Sequence, residues 1–227
     1  MRVYVEKRGQ GDPIVFLHGM GSSSGTWAAQ MVALEGRFTV IAFDLLGHGQ
    51  SPVPKDPALY SRDAALADLD DVVATLGHKP VLVGHSLGGY LALAYSATRR
   101  GSVRGMVVMA TGPGFRDAEK REAWNARSKR NAHRFGVESQ VAGLNLQHDS
   151  LVMESLAGLD VPTLVLAGTE DAAPYSASGA YLERKMPDAR FVAIEGGKHM
   201  MHEESHAAEI AKLITGFVDT LPAAREV

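Results

Sequence analysis

Ser86 stands in the run Gly84-His85-Ser86-Leu87-Gly88-Gly89, directly after the apolar residues Val81, Leu82 and Val83 and before a segment of good helix-forming composition. A serine hydroxyl is a weak nucleophile until a base takes its proton, and an imidazole in that role needs a carboxylate to hold its tautomer and stabilise the imidazolium. Both groups occur downstream, where apolar runs give way to loops. Thr169-Glu170-Asp171 follows PTLVLAG, and Lys198-His199 follows FVAIEGG, so the chain order is serine, carboxylate, histidine, with Glu170 and Asp171 both available as the acid. Gly84 and Gly88 permit a tight strand-to-helix turn that lifts the hydroxyl clear of the sheet, and Gly89 lets the helix approach it closely. The competing role for Ser86 is an ordinary cap of the helix that begins near Leu87. In a chain with 24 glycines the short pattern alone decides little, and the surroundings must decide.

Those surroundings are a series of short apolar runs, PIVFLHG, FTVIAFDL, PVLVGHS, GMVVMAT, PTLVLAGTED and ARFVAIEGG, with helical segments between them. Runs of this kind suit strands buried on both faces. Residues 61–76 put Ala65, Leu66, Leu69, Val72, Val73 and Leu76 on one helical face, with Gly77 as the stop. Ile210, Leu213, Ile214 and Phe217 form a second apolar stripe, predicting a last helix that packs on the sheet. The alternation predicts an α/β fold, a mostly parallel central sheet with helices on both faces, as one domain over residues 1–227. Residues 112–160 break the rhythm with charged, helix-favouring sequence and are expected to form a short inserted helical cap.

The chain resembles the α/β-hydrolase superfamily over nearly its whole length, through four blocks: HGMG at residues 18–21, FDLLGHGQS, GHSLGG, and GTED followed by GGKH. The resemblance implies the α/β-hydrolase fold, with Ser86 as nucleophile, Asp171 rather than Glu170 as acid and His199 as base. It also implies an oxyanion hole formed by the backbone amides of Met20 and Leu87. In relatives the block holding Asp44, His48 and Ser51 braces a loop. A dehalogenase would carry aspartate at the elbow, and an epoxide hydrolase typically does too, with a proline in its oxyanion loop; Ser86 and HGMG argue against both. The reading is a cofactor-independent carboxylic ester hydrolase, esterase- or lactonase-like, acting on a small-molecule ester or lactone. The alternatives are a C–C bond hydrolase or perhydrolase with the same triad, or a ligand receptor on the same fold without useful turnover.

His202-Glu203-Glu204-Ser205-His206 spells His-Glu-x-x-His, the spacing that sets two zinc ligands on one helix face. His199 already has a role, no clear third ligand follows, and the segment is expected to open the final helix, where acidic residues suit the macrodipole; we expect no metal and no cofactor. Residues 116–134 hold seven Lys or Arg against three Asp or Glu, a charge run that reads first as a solvated helix face. Phe115, Trp124 and Phe135 are interspersed near it as candidate apolar cover for a substrate pocket, Phe115 and Trp124 foremost.

The formal net charge of −3 gives no overall basic surface for nucleic acid, and no run reaches the roughly 18 apolar residues of a membrane span. The absence of cysteine rules out disulfides and thiol chemistry, and the N-terminus lacks the apolar region of a signal peptide; a cytoplasmic location is expected.

Overall fold

The computed structural model describes residues 2–223. Seven strands form one sheet, with spatial order β1-β3-β2-β4-β5-β6-β7. These are β1 (Val5–Arg8), β2 (Pro13–Leu17), β3 (Thr39–Phe43), β4 (Val81–His85), β5 (Gly105–Met109), β6 (Thr163–Gly168) and β7 (Ala189–Ile194). β1 pairs antiparallel with β3, and every other pairing is parallel. The continuous apolar runs become β2, β4, β5 and β6, buried along their whole length, as a sheet covered on both faces requires.

Two helices, α1 (Ala28–Leu34) and α7 (Ala207–Thr220), lie against each other on one face of the sheet, over Ile14, Phe16, Val83 and Leu166. The stripe expected of the last helix is there: Ile210 and Ile214 are fully buried, and Leu213 and Phe217 pack beside them. The other face carries α2 (Arg62–Val73), α3 (Leu87–Thr98) and α6 (Ala173–Lys185), over Val15, Leu17, Leu82 and Val108. Ser61 caps α2 by accepting the Ala64 N–H at 3.1 Å. α2 ends earlier than its apolar pattern suggests because Thr75 folds its hydroxyl onto the Val72 carbonyl at 2.7 Å and the last turn tightens.

Between β5 and β6 the chain forms α4 (Ala118–Asn131), short helical turns at Ala132–Phe135 and Ser139–Asn145, and α5 (Leu151–Ser155). Asp117 caps α4 by accepting the Lys120 N–H at 2.9 Å. Among the described residues, no helix is long and apolar enough to cross a membrane.

Candidate active site

β2 and β4 are neighbours in the sheet although β3 separates them in sequence, so the connections diverge to opposite sides at their carboxyl ends. Open α/β sheets accept ligands in the crevice at such a switch point. Gly19 and Met20 follow β2 there, Ser86 follows β4, Asp171 follows β6 and His199 follows β7. A cavity of about 940 Å³ opens over these strand ends, lined by Met20, Ser86, Leu87 and His199 among others.

Ser86 has φ +52° and ψ −114°, a left-handed conformation that an L side chain rarely adopts. Neighbouring glycines make the sharp turn possible. A Cβ on Gly84 would run into the Gly88 carbonyl, one on Gly88 into the Leu17 carbonyl oxygen, and one on Gly89 would lie 2.7 Å from Thr111 Cγ2. The turn is further held by Thr111, whose hydroxyl donates to the Ser86 carbonyl at 2.7 Å, and by the Ser86 N–H, which donates to the Met109 carbonyl at 2.9 Å. The Ser86 side chain makes no cap bond to α3, which leaves its hydroxyl uncommitted at the cavity.

His199 Nδ1 lies 2.9 Å from Asp171 Oδ2 and 3.2 Å from Oδ1. A carboxylate only accepts, so Nδ1 carries the proton and Nε2 is the basic nitrogen. The Asp171 carboxylate is almost fully covered and also accepts the Ala172 N–H at 2.7 Å, while Glu170 is exposed and tied in only through its backbone N–H to Gly197. The Tyr175 ring covers one side of His199 at 4.7 Å between centroids. His85 also lies 4.8 Å from the His199 ring, edge to face, followed by His202 at 4.3 Å and Trp27 at 4.5 Å, each from the ring before it.

Beside His199, two histidines are held as neutral rings. His85 Nε2 donates to the His199 carbonyl at 2.8 Å, and its Nδ1 is buried without a partner. Burial, reinforced by His202 and His199, holds its pKa well below the ordinary histidine value. Thr26 gives its proton to Glu203 at 2.8 Å, so its oxygen accepts from His202 Nε2 at 3.1 Å. Burial lowers the His202 pKa to about 3.

The loop after β2 is aimed by a third neutral histidine. His18 Nε2 accepts the Leu45 N–H at 2.9 Å, so Nδ1 carries the proton and donates to the Gly19 carbonyl at 2.7 Å. In a trans peptide the C=O and the next N–H point opposite ways. Pulling the Gly19 carbonyl onto His18 therefore turns the Met20 N–H away from it. Burial lowers the His18 pKa to about 4, which keeps this donor–acceptor pairing intact at neutral pH. Among the described residues, the Met20 and Leu87 N–H groups have no protein acceptor, and both residues line the cavity.

Phe115 and Trp124 line the cavity with rings 5.9 Å apart, and Trp124 Nε1 donates to the Asn145 carbonyl at 2.8 Å. The Asp44 carboxylate accepts the Ser24 and Gln50 N–H groups at 2.6 and 2.7 Å, and Ser51 Oγ donates to the Asp44 carbonyl at 2.6 Å, which is the loop-bracing part expected of that block. The expectation that residues 202–206 open the final helix is corrected: they form turns, and α7 begins at Ala207. Without helical periodicity the two histidines do not share a face, since His202 is buried on Thr26 while His206 Nε2 bonds the Glu195 carbonyl at 3.0 Å. Tyr175, Asn131 and Gln147 also line the cavity and were not legible as site residues in the sequence; Arg127 lines it too, and the sequence set it apart only as one of a basic run.

A family model described as alpha/beta hydrolase fold matches residues 12–125. The 2-(acetamidomethylene)succinate hydrolase of Mesorhizobium japonicum is 28% identical over 95% of this chain and 91% of its own. An esterase from Thermogutta terrifontis, solved with malate bound, superposes with a TM-score of 0.80 at 24% identity, covering 96% of this chain and 93% of that one. The enol-lactonase of Burkholderia xenovorans LB400 gives 0.80 at 21% identity over 96% of each chain.

Proposed function

Since the chain belongs to the alpha/beta hydrolase fold family, we propose that it is a serine hydrolase cleaving carboxylic esters or lactones through an acyl-enzyme. The observation that carries the reading is the His199–Asp171 pair at 2.9 Å, whose imidazole lines the same cavity as the uncommitted Ser86 hydroxyl. In this reading the Ser86 proton passes to His199 Nε2 as Oγ bonds the substrate carbonyl carbon, and Asp171 stabilises the imidazolium. The carbonyl electron pair moves onto oxygen, where the Met20 and Leu87 N–H groups stabilise it only as the tetrahedral state forms. When that pair returns, the C–O bond to the alcohol breaks and the leaving oxygen takes the proton from His199. Water, giving its proton to the same nitrogen, then attacks the acyl carbon, and Ser86 departs with that proton.

Residues 112–160 act as a cap, with Phe115 and Trp124 giving apolar cover to the substrate. The test is labelling with a fluorophosphonate, peptide mass spectrometry to locate the adduct, and turnover of p-nitrophenyl acetate and butyrate, a γ-lactone and 2-(acetamidomethylene)succinate. The last compound is included because the M. japonicum relative is named for it. An adduct on Ser86 and ester or lactone turnover are expected. Near wild-type turnover by Ser86→Ala would overturn the mechanism, and hydrolysis of the succinate derivative alone would replace the ester and lactone assignment.

A further inference from the structure

Of the seven basic side chains in residues 116–134, only Arg127 lines the cavity. Arg121 is spent on the carbonyls of Phe115 and Arg116, at 3.2 and 2.6 Å, and Lys129 and Arg130, exposed as Arg127 is, do not line the cavity. The selection follows from helical phase: Trp124, Arg127, Ser128 and Asn131, at i, i+3, i+4 and i+7 of α4, all line the cavity. Lys129 and Arg130 fall on the other side of that stripe.

The wall so formed is rich in donors that the protein does not use. Among the described residues, the Arg127 and Asn131 side chains and the Tyr175 hydroxyl have no protein hydrogen-bond partner. Gln147 spends its Oε1 on the Phe115 N–H at 3.1 Å, leaving its amide N–H groups unengaged. Arg127 lines the same cavity as Tyr175 and His199, whose rings lie 4.7 Å apart. Neither nearby carboxylate pairs with Arg127: Asp171 bonds His199, and Glu203 accepts from Thr26 at 2.8 Å. Arg127 thus gives the cavity a fixed positive charge without an ion-pair partner among the described residues. A purely alkyl substrate would leave the amide N–H groups of buried Gln147 and half-buried Asn131 covered and unpaired, which is unfavourable.

We propose that Arg127, with Asn131 and Gln147, forms a subsite for a carboxylate carried by the substrate in addition to the bond that is cleaved. The inference rests on the hydrolase reading for what is cleaved, but not for what is bound. A planar guanidinium meets a carboxylate through two parallel N–H···O bonds, and the amides of Asn131 and Gln147 supply further donors. The substrate class is a half-ester or lactone acid rather than a neutral alkyl ester.

Binding and turnover test it separately. Ser86→Ala protein is titrated calorimetrically with monomethyl adipate and with dimethyl adipate at pH 7.5. At least ten-fold tighter binding of the anion is expected. Adding Arg127→Gln should erase that preference, Arg127→Lys should keep part of it, and Lys129→Gln should leave it intact. Equal affinities, or a preference that survives Arg127→Gln, overturns the subsite. In the Ser86 enzyme, the ratio of kcat/KM for p-nitrophenyl hydrogen adipate to that for its methyl ester should fall at least ten-fold with Arg127→Gln. If the anion preference is present in binding but neither ester is turned over, the ester-hydrolase reading fails and the subsite stands.

Discussion

In the proposed mechanism Ser86, His199 and Asp171 form a chain of dependence, because the hydroxyl reacts through the imidazole and the imidazole is oriented through the carboxylate at 2.9 Å. Groups acting as one unit do not lose activity additively. Ser86→Ala, His199→Ala and the double variant should therefore fall to the same residual kcat, on the order of 10⁴-fold or more below wild type. Asp171→Asn should be severely impaired, and Glu170→Gln should keep most activity; the opposite ranking in steady-state assays would reassign the acid. His18 offers a finer prediction, since its two nitrogens do different jobs. Asparagine can replace a donor near Nδ1 and so keep the Gly19 carbonyl in place, whereas glutamine reaches only toward the Nε2 position. Both variants should lose roughly 1–3 kcal/mol of stability through an unmet buried group. His18→Gln should also approach the roughly 10²–10³-fold loss of kcat typical of a missing oxyanion donor, with His18→Asn less affected. Equal kcat losses in the two would remove the positioning role and leave a packing role.

Element geometry sets how closely these groups can meet, and the elbow is the place where the fit is tightest. A methyl on Gly88 would drive the start of α3 off the Leu17 carbonyl, so Gly88→Ala should cost roughly 1–3 kcal/mol and abolish turnover. Gly36→Ala, with nothing within 4 Å of its added Cβ, is the control, and its urea midpoint should stay near wild type or rise. The elbow was legible in the sequence because a close approach of backbone to backbone demands glycine, and the parallel core because doubly covered strands demand unbroken apolar runs. The facing of α7 was legible too, since Ile210 and Ile214 can go only inward. α4 was not: Ser128 is its one buried residue, so no apolar stripe fixes which side turns to the cavity, and Arg127 could not be told from Arg130. The zinc-like string at residues 202–206 misleads for a related reason, because its spacing means something only on a helix and these residues are turns. Dialysis against EDTA should leave turnover unchanged, as His202 and His206 are turned to separate partners; loss restored by zinc would reverse that conclusion.

Across the whole molecule, the buried histidines around His199 and after β2 set the response to acid. Exposed ion pairs such as Arg37–Asp219 and Lys55–Glu138 contribute little in water and salt, and acid removes little with them. The buried neutral histidines differ. Unfolded, a histidine titrates near 6.5, but in the fold His18 does so at about 4 and His202 at about 3, and His48 and His85 are shifted the same way by burial. Between those values the unfolded chain binds protons that the native state refuses, so stability rises with pH across the window and falls on acidification. Well above 6.5 neither state binds them and the contribution is flat; for His18 and His202 the slope vanishes again below about 4 and about 3, where both states are protonated. Each such histidine adds a slope approaching about 1.4 kcal/mol per pH unit. Urea unfolding at pH 7.5, 6.5, 5.5 and 5.0 should therefore show a level region, then a steep loss starting near 6.5, well before carboxylates protonate. His202→Gln, which keeps a donor toward Thr26 but cannot titrate, should lower the limiting slope by about one proton, or about 1.4 kcal/mol per pH unit. A midpoint that holds steady down to pH 4.5, or a His202→Gln slope equal to wild type, would mean that the histidine stack behind His199 takes up protons without opening the fold.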